Sequence, residues 1–262
     1  MTKILILGHK GMLGNAVYNF FNSQQDYTVS TTNTRWGTEE FVNELTSSDA
    51  ECVINCIGII PQKKLDVSLY KKININLPVF LETLNKKIIH PSTDCEFSGN
   101  IPNTYAYKKT DIRDATDDYG KSKADISKLI EEDFKNTKVI RTSIIGHEMA
   151  TSLSLLDWFL HTEGNANGYT NHYWNGITTL EWAKLCKDLI ENWDSHSKLT
   201  QYGTSGIRSK YDLLEDIKNV YEKDISITPF EAATSANKCL ESDREIKPIR
   251  QQLIELRKFY NK

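Results

Sequence analysis

The sequence predicts an α/β fold, a doubly wound parallel sheet with helices on both faces, followed by a smaller C-terminal lobe. In the first part of the chain, short apolar runs alternate with amphipathic stretches, which is the pattern of a buried parallel sheet with crossover helices. Beyond residue 145 this alternation ends, and aromatic and small polar residues are mixed through 158–176. We therefore expect a main domain over 1–145, with 175–194 packing back onto it, and a smaller lobe over 146–262.

The predicted elements follow in order. Apolar runs predict strands at 3–7, 27–31, 52–57, 87–91 and 138–143. Apolar residues at three- and four-residue spacing predict helices at 12–22, 38–46, 66–85 and 119–134. A helix over 178–193 begins at Thr178 or Thr179, another over 209–222 begins at Ser209, and 242–260 is a charged amphipathic tail. The crossovers are long enough for right-handed β-α-β units.

Composition excludes several classes of protein. A chain of 262 residues with 39% hydrophobic content can bury a full core, so disorder is excluded. The formal charge of −3, with scattered cations, argues against nucleic acid as the main ligand. Five cysteines and six histidines without ligand spacing predict no metal and a reducing, cytoplasmic location. The run Ile4–Leu7 is too short for a secretion signal, and no apolar run approaches the ~20 residues of a membrane helix.

Three glycines stand between the first predicted strand and the first helix, in the segment Gly8-His9-Lys10-Gly11-Met12-Leu13-Gly14. A Rossmann-like dinucleotide fold needs glycines here, because the backbone must turn tightly, approach the pyrophosphate and let helix and strand pack closely. The helix N-terminus then presents N–H groups and a partial positive charge to the phosphates. The segment predicts a cofactor site that includes Lys10, Met12 and Leu13, and the alternative is a helix start without a ligand.

The choice of nicotinamide depends on the end of the second strand, where an acidic residue would bind the ribose 2′-hydroxyl. No acid lies between Asp26 and Glu39, whereas Arg35 and Lys10 offer two cations. These residues favour a 2′-phosphate, so we predict NADPH, with NADH as a weaker substitute. The alternative is that both cations are merely solvated.

Tyr119 and Lys123 stand four residues apart, on one face of a predicted helix. Free tyrosine, with a pKa of ~10, is a poor acid at neutral pH, but a neighbouring cation and an oxidised nicotinamide favour its ionised form. We therefore expect the pKa of Tyr119 to be tuned toward neutrality, which suits a residue that protonates a carbonyl receiving hydride. The alternative is an exposed surface pair.

Polar residues follow the buried strand 87–91, in Pro91-Ser92-Thr93-Asp94-Cys95. Ligands bind at the carboxyl ends of strands in open α/β sheets, so Thr93 is placed to donate a hydrogen bond to the same carbonyl oxygen. Asn55 and Asn74 occupy positions where such a fold holds its cofactor or a water relay.

Candidate substrate-binding residues lie mainly in the second half of the chain. Aromatic and amide side chains are suited to stacking on a base and bonding its edge, and two cations are suited to a diphosphate. Core packing explains the aromatics equally well. The candidates are Asp94, Tyr169, Asn171, Tyr173, Trp174, Asn175, Arg208 and Lys210.

Taken together, these motifs resemble the extended short-chain dehydrogenase/reductases, and within them dTDP-4-dehydrorhamnose reductase and related sugar-nucleotide 4-ketoreductases. The resemblance rests on the glycine turn, Ser92-Thr93-Asp94-Cys95, Tyr119-x-x-x-Lys123, Arg141-Thr142-Ser143-Ile144-Ile145-Gly146 and Trp174-Asn175-Gly176-Ile177-Thr178-Thr179. It covers residues 8 to about 180 and leaves 195–262 largely unmatched.

The resemblance implies a catalytic triad of Thr93, Tyr119 and Lys123, with Asn74 as a candidate fourth member. It implies that NADPH delivers hydride to C4 of a nucleoside-diphosphate 4-keto-6-deoxy sugar in deoxysugar biosynthesis. Tyr119 would protonate the oxygen, and Lys123 would hold the cofactor ribose. By analogy, helices 66–85 and 119–134 would form a homodimer, without nucleic acid or membrane partners.

Three alternatives remain open. Sugar-nucleotide 4,6-dehydratases carry an Asp-Glu pair after the threonine, but here Glu96 comes one residue late, and in extended backbone its carboxylate would face the opposite side. GDP-fucose synthase looks similar around Cys95 and His147, which would then serve as acid and base of an epimerase-reductase. The regulatory subunit of methionine adenosyltransferase resembles these reductases yet acts as a binding partner.

Overall fold

A computed structural model of the chain describes residues 1–61 and 66–262. Its main feature is a six-stranded parallel sheet in the order β2-β1-β3-β4-β5-β10. Its strands are β1 (Thr2–Leu7), β2 (Tyr27–Thr31), β3 (Cys52–Asn55), β4 (Lys87–Ser92), β5 (Thr137–Arg141) and β10 (Leu199–Gln201). The connecting helices are α1 (Met12–Asn22), α2 (Glu39–Ser47), α3 (Leu77–Glu82), α4 (Asp118–Asp133) and α6 (Thr179–Glu191). The predicted doubly wound sheet is confirmed.

Alternating residues of β1 build the two layers that cover the sheet. Ile4 and Ile6 are fully buried in a core with α1 and α6, where Trp182 is the largest side chain. Leu5 and Leu7 face the other side and pack with Phe41 of α2 and with α3. Because both faces of β1 are covered, its sequence is a continuous apolar run rather than an alternating one.

The strand order reverses direction beside β1. The chain moves from β1 to β2 on one side and then crosses to β3 on the other side. The helices after β1 and β3 therefore leave toward opposite faces, and a crevice opens at the carboxyl ends of these two strands. Gly8 and Cys56 follow the two strands at this point, and the glycine turn lies here.

The remaining elements form a smaller lobe around a second core. This core collects apolar residues of α5 (Leu155–His161), α7 (Lys210–Tyr221) and α8 (Ile249–Phe259). Short strands border it, and they are β6 (Ile144–Ile145), β7 (Asn165–Tyr169), β8 (His172–Trp174), β9 (Ile177–Thr178), β11 (Arg208–Ser209), β12 (Ser226–Phe230) and β13 (Ala236–Asn237). The predicted helix starts are confirmed, since the Thr178 and Ser209 side chains cap α6 and α7.

Three segments differ from the sequence-based expectation. The helix expected over 66–85 is a π-helix over Tyr70–Asn76 followed by the short α3, and Pro78, which lacks an N–H, sits in the first turn of α3. The strand β10 was not expected. It is three residues long and polar at two positions, so it carries no periodic signal. Of the tail 242–260, only α8 is helical.

Among the described residues, no helix has the length and apolar character to span a membrane.

Candidate active site

The glycine turn is held together by its own backbone. Gly8 has φ +75°, and a Cβ there would lie 3.0 Å from the carbonyl carbon of Cys56. A Cβ on Gly14 would lie 2.1 Å from the Gly8 carbonyl oxygen. The Gly11 N–H donates to that same oxygen at 2.9 Å. Gly8 and Gly14 are therefore required by the turn itself.

Gly11 is different, because the fold leaves space for a side chain there. Its φ of −84° suits any residue, and a Cβ would meet only the Gly8 oxygen at 3.5 Å, an ordinary contact. Gly11 is exposed and is the N-cap of α1, which no described side chain caps. A bound pyrophosphate explains both features, since it needs close backbone approach and free N–H groups at the helix start. The turn thus fits a dinucleotide, with Met12 and Leu13 in the first turn of α1.

A carboxylate from a later part of the chain lies at the end of β2. Glu44 of α2 accepts hydrogen bonds from the hydroxyls of Thr32 and Thr34, at 2.6 and 2.8 Å. Arg35 and Lys10 are exposed. Although no acid lies between Asp26 and Glu39, Glu44 brings negative charge to the end of β2. The argument for NADPH therefore rests on the two exposed cations.

The start of α4 packs directly against the turn after β4. Residues Asp94–Glu96 form a single 3₁₀ turn, and Thr93 caps it by accepting from the Cys95 N–H at 3.1 Å. A Cβ on Gly120 would lie 2.2 Å from the Cys95 carbonyl oxygen, so only glycine permits this approach. Tyr119 is consequently brought beside Thr93, as the sequence predicts.

The phenol of Tyr119 is held in its neutral form. Burial is the main cause that raises its pKa, and the neighbouring Cys95 and Asp94 raise it further. The Thr93 hydroxyl is close enough to the phenol to lower its pKa in part. The expectation of a pKa near neutrality is therefore wrong for the protein by itself. A neutral phenol is nevertheless the form that can donate a proton.

Lys123 lies behind this pair and is 5% exposed. Its ammonium donates to the Pro91 carbonyl oxygen at 3.0 Å. Burial lowers the pKa of Lys123 to about 8, and the carboxylate of Glu96 opposes this effect. At pH 7 the side chain is therefore still mostly protonated. Thr93, Tyr119 and Lys123 are brought together at the carboxyl end of β4.

Two buried asparagines support the same region. The Asn55 amide pairs with the His90 ring at 3.1 Å, and its oxygen accepts from the Ile57 N–H at 3.0 Å. The Asn74 amide binds both backbone groups of Ile59, and it donates to the Ser122 hydroxyl at 3.1 Å. Both side chains hold the loop after β3, and Asn74 also joins that loop to α4.

Cys95 and His147 are not brought together. Burial raises the pKa of Cys95 to about 12, so it is a neutral thiol. His147 is fully buried, and its two ring nitrogens bond Asp157 at 2.8 Å and Tyr221 at 2.9 Å. The ring also packs against Tyr260. These contacts belong to the core of the smaller lobe, so the structure does not support an acid-base pair of Cys95 and His147.

The carboxylate of Glu96 faces away from Thr93, but for a different reason from the one expected. The backbone is a 3₁₀ turn rather than extended, and the fully buried side chain is drawn into a cluster with Arg141 and Ser127, which are also fully buried, and with Arg113, which is partly exposed. The sequence reading missed this cluster, because its members are distant in sequence and share no motif.

The expected substrate-binding residues divide into two groups. The amides of Asn171 and Asn175 are used internally, with Ala232 and with Thr204 and Leu240. The Trp174 indole N–H donates to the Ser143 hydroxyl at 2.7 Å. These side chains shape the lobe rather than offer free polar groups.

Most of the other candidates are more accessible, and Asp94 is the exception. Tyr169 is 37% exposed and stacks on His172, and the Tyr173 hydroxyl accepts from Asn103 at 3.2 Å. Arg208 pairs with Asp216 at 2.9 Å, and Lys210 begins α7. Asp94 is 6% exposed and accepts from the Thr93 hydroxyl at 3.0 Å.

The sequence did not predict a further cation that lies near the site. The Lys238 ammonium donates to the Phe97 carbonyl oxygen at 3.0 Å, and its charge lowers the pKa of Cys95 in part. It comes from the segment beyond 195, where the sequence contains no recognisable motif. Spatial proximity alone reveals it.

The fold and this site define an α/β protein of the short-chain dehydrogenase/reductase type, with a glycine turn at the switch point of its sheet and a Thr-Tyr-Lys cluster beside it. The model of the RmlD substrate binding domain family matches residues 1–259, and the chain belongs to that family. The resemblance inferred from the motifs is confirmed. No curated protein matches the sequence significantly.

Solved structures are similar over the whole chain. A dTDP-4-dehydrorhamnose reductase from Clostridium acetobutylicum has a TM-score of 0.83 at 18% identity, covering 100% of both chains. A dTDP-4-dehydrorhamnose reductase from Bacillus anthracis, in complex with NADP, has a TM-score of 0.82 at 14% identity, also covering 100% of both. A GDP-6-OMe-4-keto-L-xylo-heptose reductase from C. jejuni has a TM-score of 0.72 at 11% identity, covering 99% of this chain and 97% of that one. At these identities the likeness establishes the fold.

Proposed function

We propose that the protein is an NADPH-dependent reductase of the C4 ketone of a nucleoside-diphosphate 4-keto-6-deoxy sugar. The observation that carries the proposal is the meeting of three groups at the carboxyl end of β4. The neutral phenol of Tyr119, the hydroxyl of Thr93 and the ammonium of Lys123 lie together, one strand from the loop after β3 and two strands from the glycine turn.

Each group has a role in ketone reduction. NADPH, when bound, supplies the hydride. The Thr93 hydroxyl donates to Asp94 in this structure. Turned toward the substrate, it would donate instead to the ketone oxygen and so orient and polarise it. The Tyr119 phenol gives its proton to that oxygen as negative charge develops on it. The Lys123 ammonium, one helical turn after Tyr119, would stabilise the phenolate left behind and would donate a hydrogen bond to a ribose hydroxyl of the cofactor.

The cofactor assignment rests on the glycine turn and on two cations. The turn, together with Met12 and Leu13, suits a pyrophosphate, and Lys10 and Arg35 suit a 2′-phosphate. The similar reductase from Bacillus anthracis was solved with NADP. We expect NADPH to be preferred because of these two cations. NADH should remain a weaker substitute, because the carboxylate of Glu44 lies close to the end of β2, where it suits a free ribose 2′-hydroxyl.

The substrate class is supported by the similar reductases, two of which act on dTDP-4-dehydrorhamnose according to their descriptions and one on a GDP-linked 4-keto sugar. In this chain, Tyr169, Lys210 and Arg208 are accessible enough to bind the nucleotide. We propose no epimerisation, since His147 is enclosed in the second core, and no dehydration, since the carboxylate of Glu96 is bound to two arginines.

The test is to incubate the purified protein with NADPH and a panel of 4-keto-6-deoxy sugars linked to dTDP, UDP and GDP. We expect loss of NADPH absorbance with one nucleotide class and a product reduced at C4. Solvent deuterium is expected at no ring carbon of the product. Binding of NADPH without reduction of any member of the panel would favour a regulatory, non-catalytic role and would contradict the proposal.

A further inference from the structure

A buried carboxylate joins the two elements that carry the candidate catalytic residues. Glu96 is fully buried. One of its oxygens accepts from the hydroxyls of Ser92 and Ser127, the latter at 2.6 Å. The other accepts from Arg113 at 2.7 Å and from Arg141 at 2.6 Å. Every hydrogen-bonding direction of the carboxylate is thus engaged.

The two serines show what this carboxylate connects. Ser92 ends β4 and immediately precedes Thr93. Ser127 is on α4, one turn after Lys123 and two turns after Tyr119. The Ser127 hydroxyl also reaches the Ser92 hydroxyl at 3.0 Å. The register between the end of β4 and α4 is therefore set by contacts that converge on Glu96.

Stability by itself does not require such a group. A buried carboxylate with buried guanidinium partners loses hydration on folding, and apolar side chains of similar volume are often as stabilising. The cluster includes Arg141, which is also fully buried and bonds Gln201 at 2.9 Å. What the cluster does provide is a fixed geometry, because its hydrogen bonds are charge-assisted and directional.

We propose that Glu96 is a positioning residue, which holds α4 against the end of β4 and so sets the placement of Tyr119 and Lys123 relative to Thr93. This inference rests on the proposed reductase function. It adds a residue that touches neither substrate nor cofactor but acts through the groups that do.

Electrostatics support the same role. The charge of Glu96 raises the pKa of Lys123 and so opposes the effect of burial. The other titratable group that interacts with Lys123 is His90 on β4, which burial keeps neutral, and Tyr119 lies one turn earlier on the same helix. Around Glu96 the charged groups are Arg141 and Arg113, and Arg113 also bonds Glu131 of α4. Replacing Glu96 by glutamine should therefore make the Lys123 ammonium easier to deprotonate.

The test compares Ser127→Ala and Glu96→Gln with a matched control, Thr137→Val. Thr137 is also buried and donates to a carboxylate, Glu82 at 2.6 Å, but it lies at the opposite end of the sheet, where β5 begins. We expect kcat of both site variants to fall about tenfold or more, because small misplacements of catalytic groups are costly. The fall in kcat should exceed any rise in KM for NADPH, and the control should keep both within about twofold.

A second readout does not depend on turnover. Lysine labelled with ¹³C at the ε carbon reports the titration of Lys123, identified as the signal missing in Lys123→Arg. We expect its midpoint to be lower in Glu96→Gln than in the wild type and unchanged in Thr137→Val. If Glu96→Gln does not fold, Ser127→Ala still tests the positioning through kcat.

The outcomes separate this inference from the proposed function. If the wild type reduces a keto sugar but Ser127→Ala and Glu96→Gln behave like Thr137→Val, the positioning role is wrong and the reductase function stands. If no keto sugar is reduced yet the Lys123 midpoint falls in Glu96→Gln, the reductase function is wrong and the coupling of Glu96 to Lys123 stands. An unchanged midpoint in folded Glu96→Gln contradicts the coupling.

Discussion

At the scale of single residues, the site combines a neutral phenol with a buried ammonium. Burial raises the pKa of Tyr119 and lowers that of Lys123, so each group is shifted toward its uncharged form. The two shifts have a common cause, since burial is the largest contribution to both. Shielding such an ionisable pair from water lowers the free energy of unfolding of the protein.

Burying the Lys123 ammonium costs free energy, and this cost predicts that replacing Lys123 changes the stability of the protein. The folded pKa of about 8 is below the ordinary value of 10.5, which corresponds to about 3 kcal/mol against the ammonium at neutral pH. Lys123→Met should therefore raise the free energy of unfolding at pH 7 by about 1–3 kcal/mol, while abolishing reduction. Urea unfolding measures the change, and Lys121→Met, at an exposed position on the same helix, is the control.

The sign of the pH dependence follows from the same shift. Between pH 8 and 10.5 the unfolded chain holds a proton on Lys123 that the folded protein has lost, so wild-type stability rises with pH across this window. The advantage of Lys123→Met should shrink over the same range. A wild-type protein that is more stable than Lys123→Met at pH 7 would show that the lysine is not buried at a cost.

At the scale of elements, features with a local sequence pattern could be predicted, and features that join distant parts of the chain could not. The turn was predictable because its glycines are adjacent in sequence and follow an apolar strand. Likewise, Tyr119 and Lys123 share a helix face at fixed spacing. Glu96, Arg113 and Arg141 could not be predicted as a cluster, since no local pattern relates a 3₁₀ turn, a loop and a strand. The π-helix over Tyr70–Asn76 has the same apolar period as an α-helix would have and therefore gave no separate signal.

The glycine turn makes its own prediction. Gly14→Ala should destabilise the protein by about 3 kcal/mol or more, because its Cβ would overlap the Gly8 carbonyl oxygen.

Gly11→Ala should change stability by less than about 1 kcal/mol, since the fold leaves room for a methyl group. It should nevertheless weaken NADPH binding by about tenfold or more, because the methyl group occupies the approach to the pyrophosphate. Thermal unfolding and calorimetric titration measure the two effects, and undiminished NADPH affinity in Gly11→Ala would contradict the cofactor site.

At the scale of the whole molecule, the C-terminal part of the chain completes the main sheet. β10 adds to β5, and the Tyr202 N–H donates to the Arg141 carbonyl oxygen at 3.0 Å. Gln252 of α8 accepts from the Thr178 N–H, at the start of α6. The division expected from sequence, with 1–145 and 175–194 as one unit, could not include β10, because its Leu-Thr-Gln sequence has no strand pattern.

These contacts predict that the part of the chain that carries the glycine turn does not fold without its C-terminal segment. A chain that ends at residue 194 lacks β10, so Arg141 loses Gln201 and the apolar contact of Val139 with Leu199 is removed. We expect this shortened chain to show no cooperative unfolding transition by circular dichroism. A sharp transition together with NADPH binding would instead show that residues 1–194 form an independent domain.

The most direct test of the reductase assignment follows the hydride itself. With NADPH carrying deuterium at C4 of the nicotinamide, in the transferable position, the wild-type protein should place one deuterium at C4 of the reduced sugar in a single turnover. Tyr119→Phe should bind NADPH with unchanged affinity but form no labelled product, since the phenol that protonates the oxygen is missing. A reduced sugar without the label, or labelled product from Tyr119→Phe at the wild-type rate, would contradict the account.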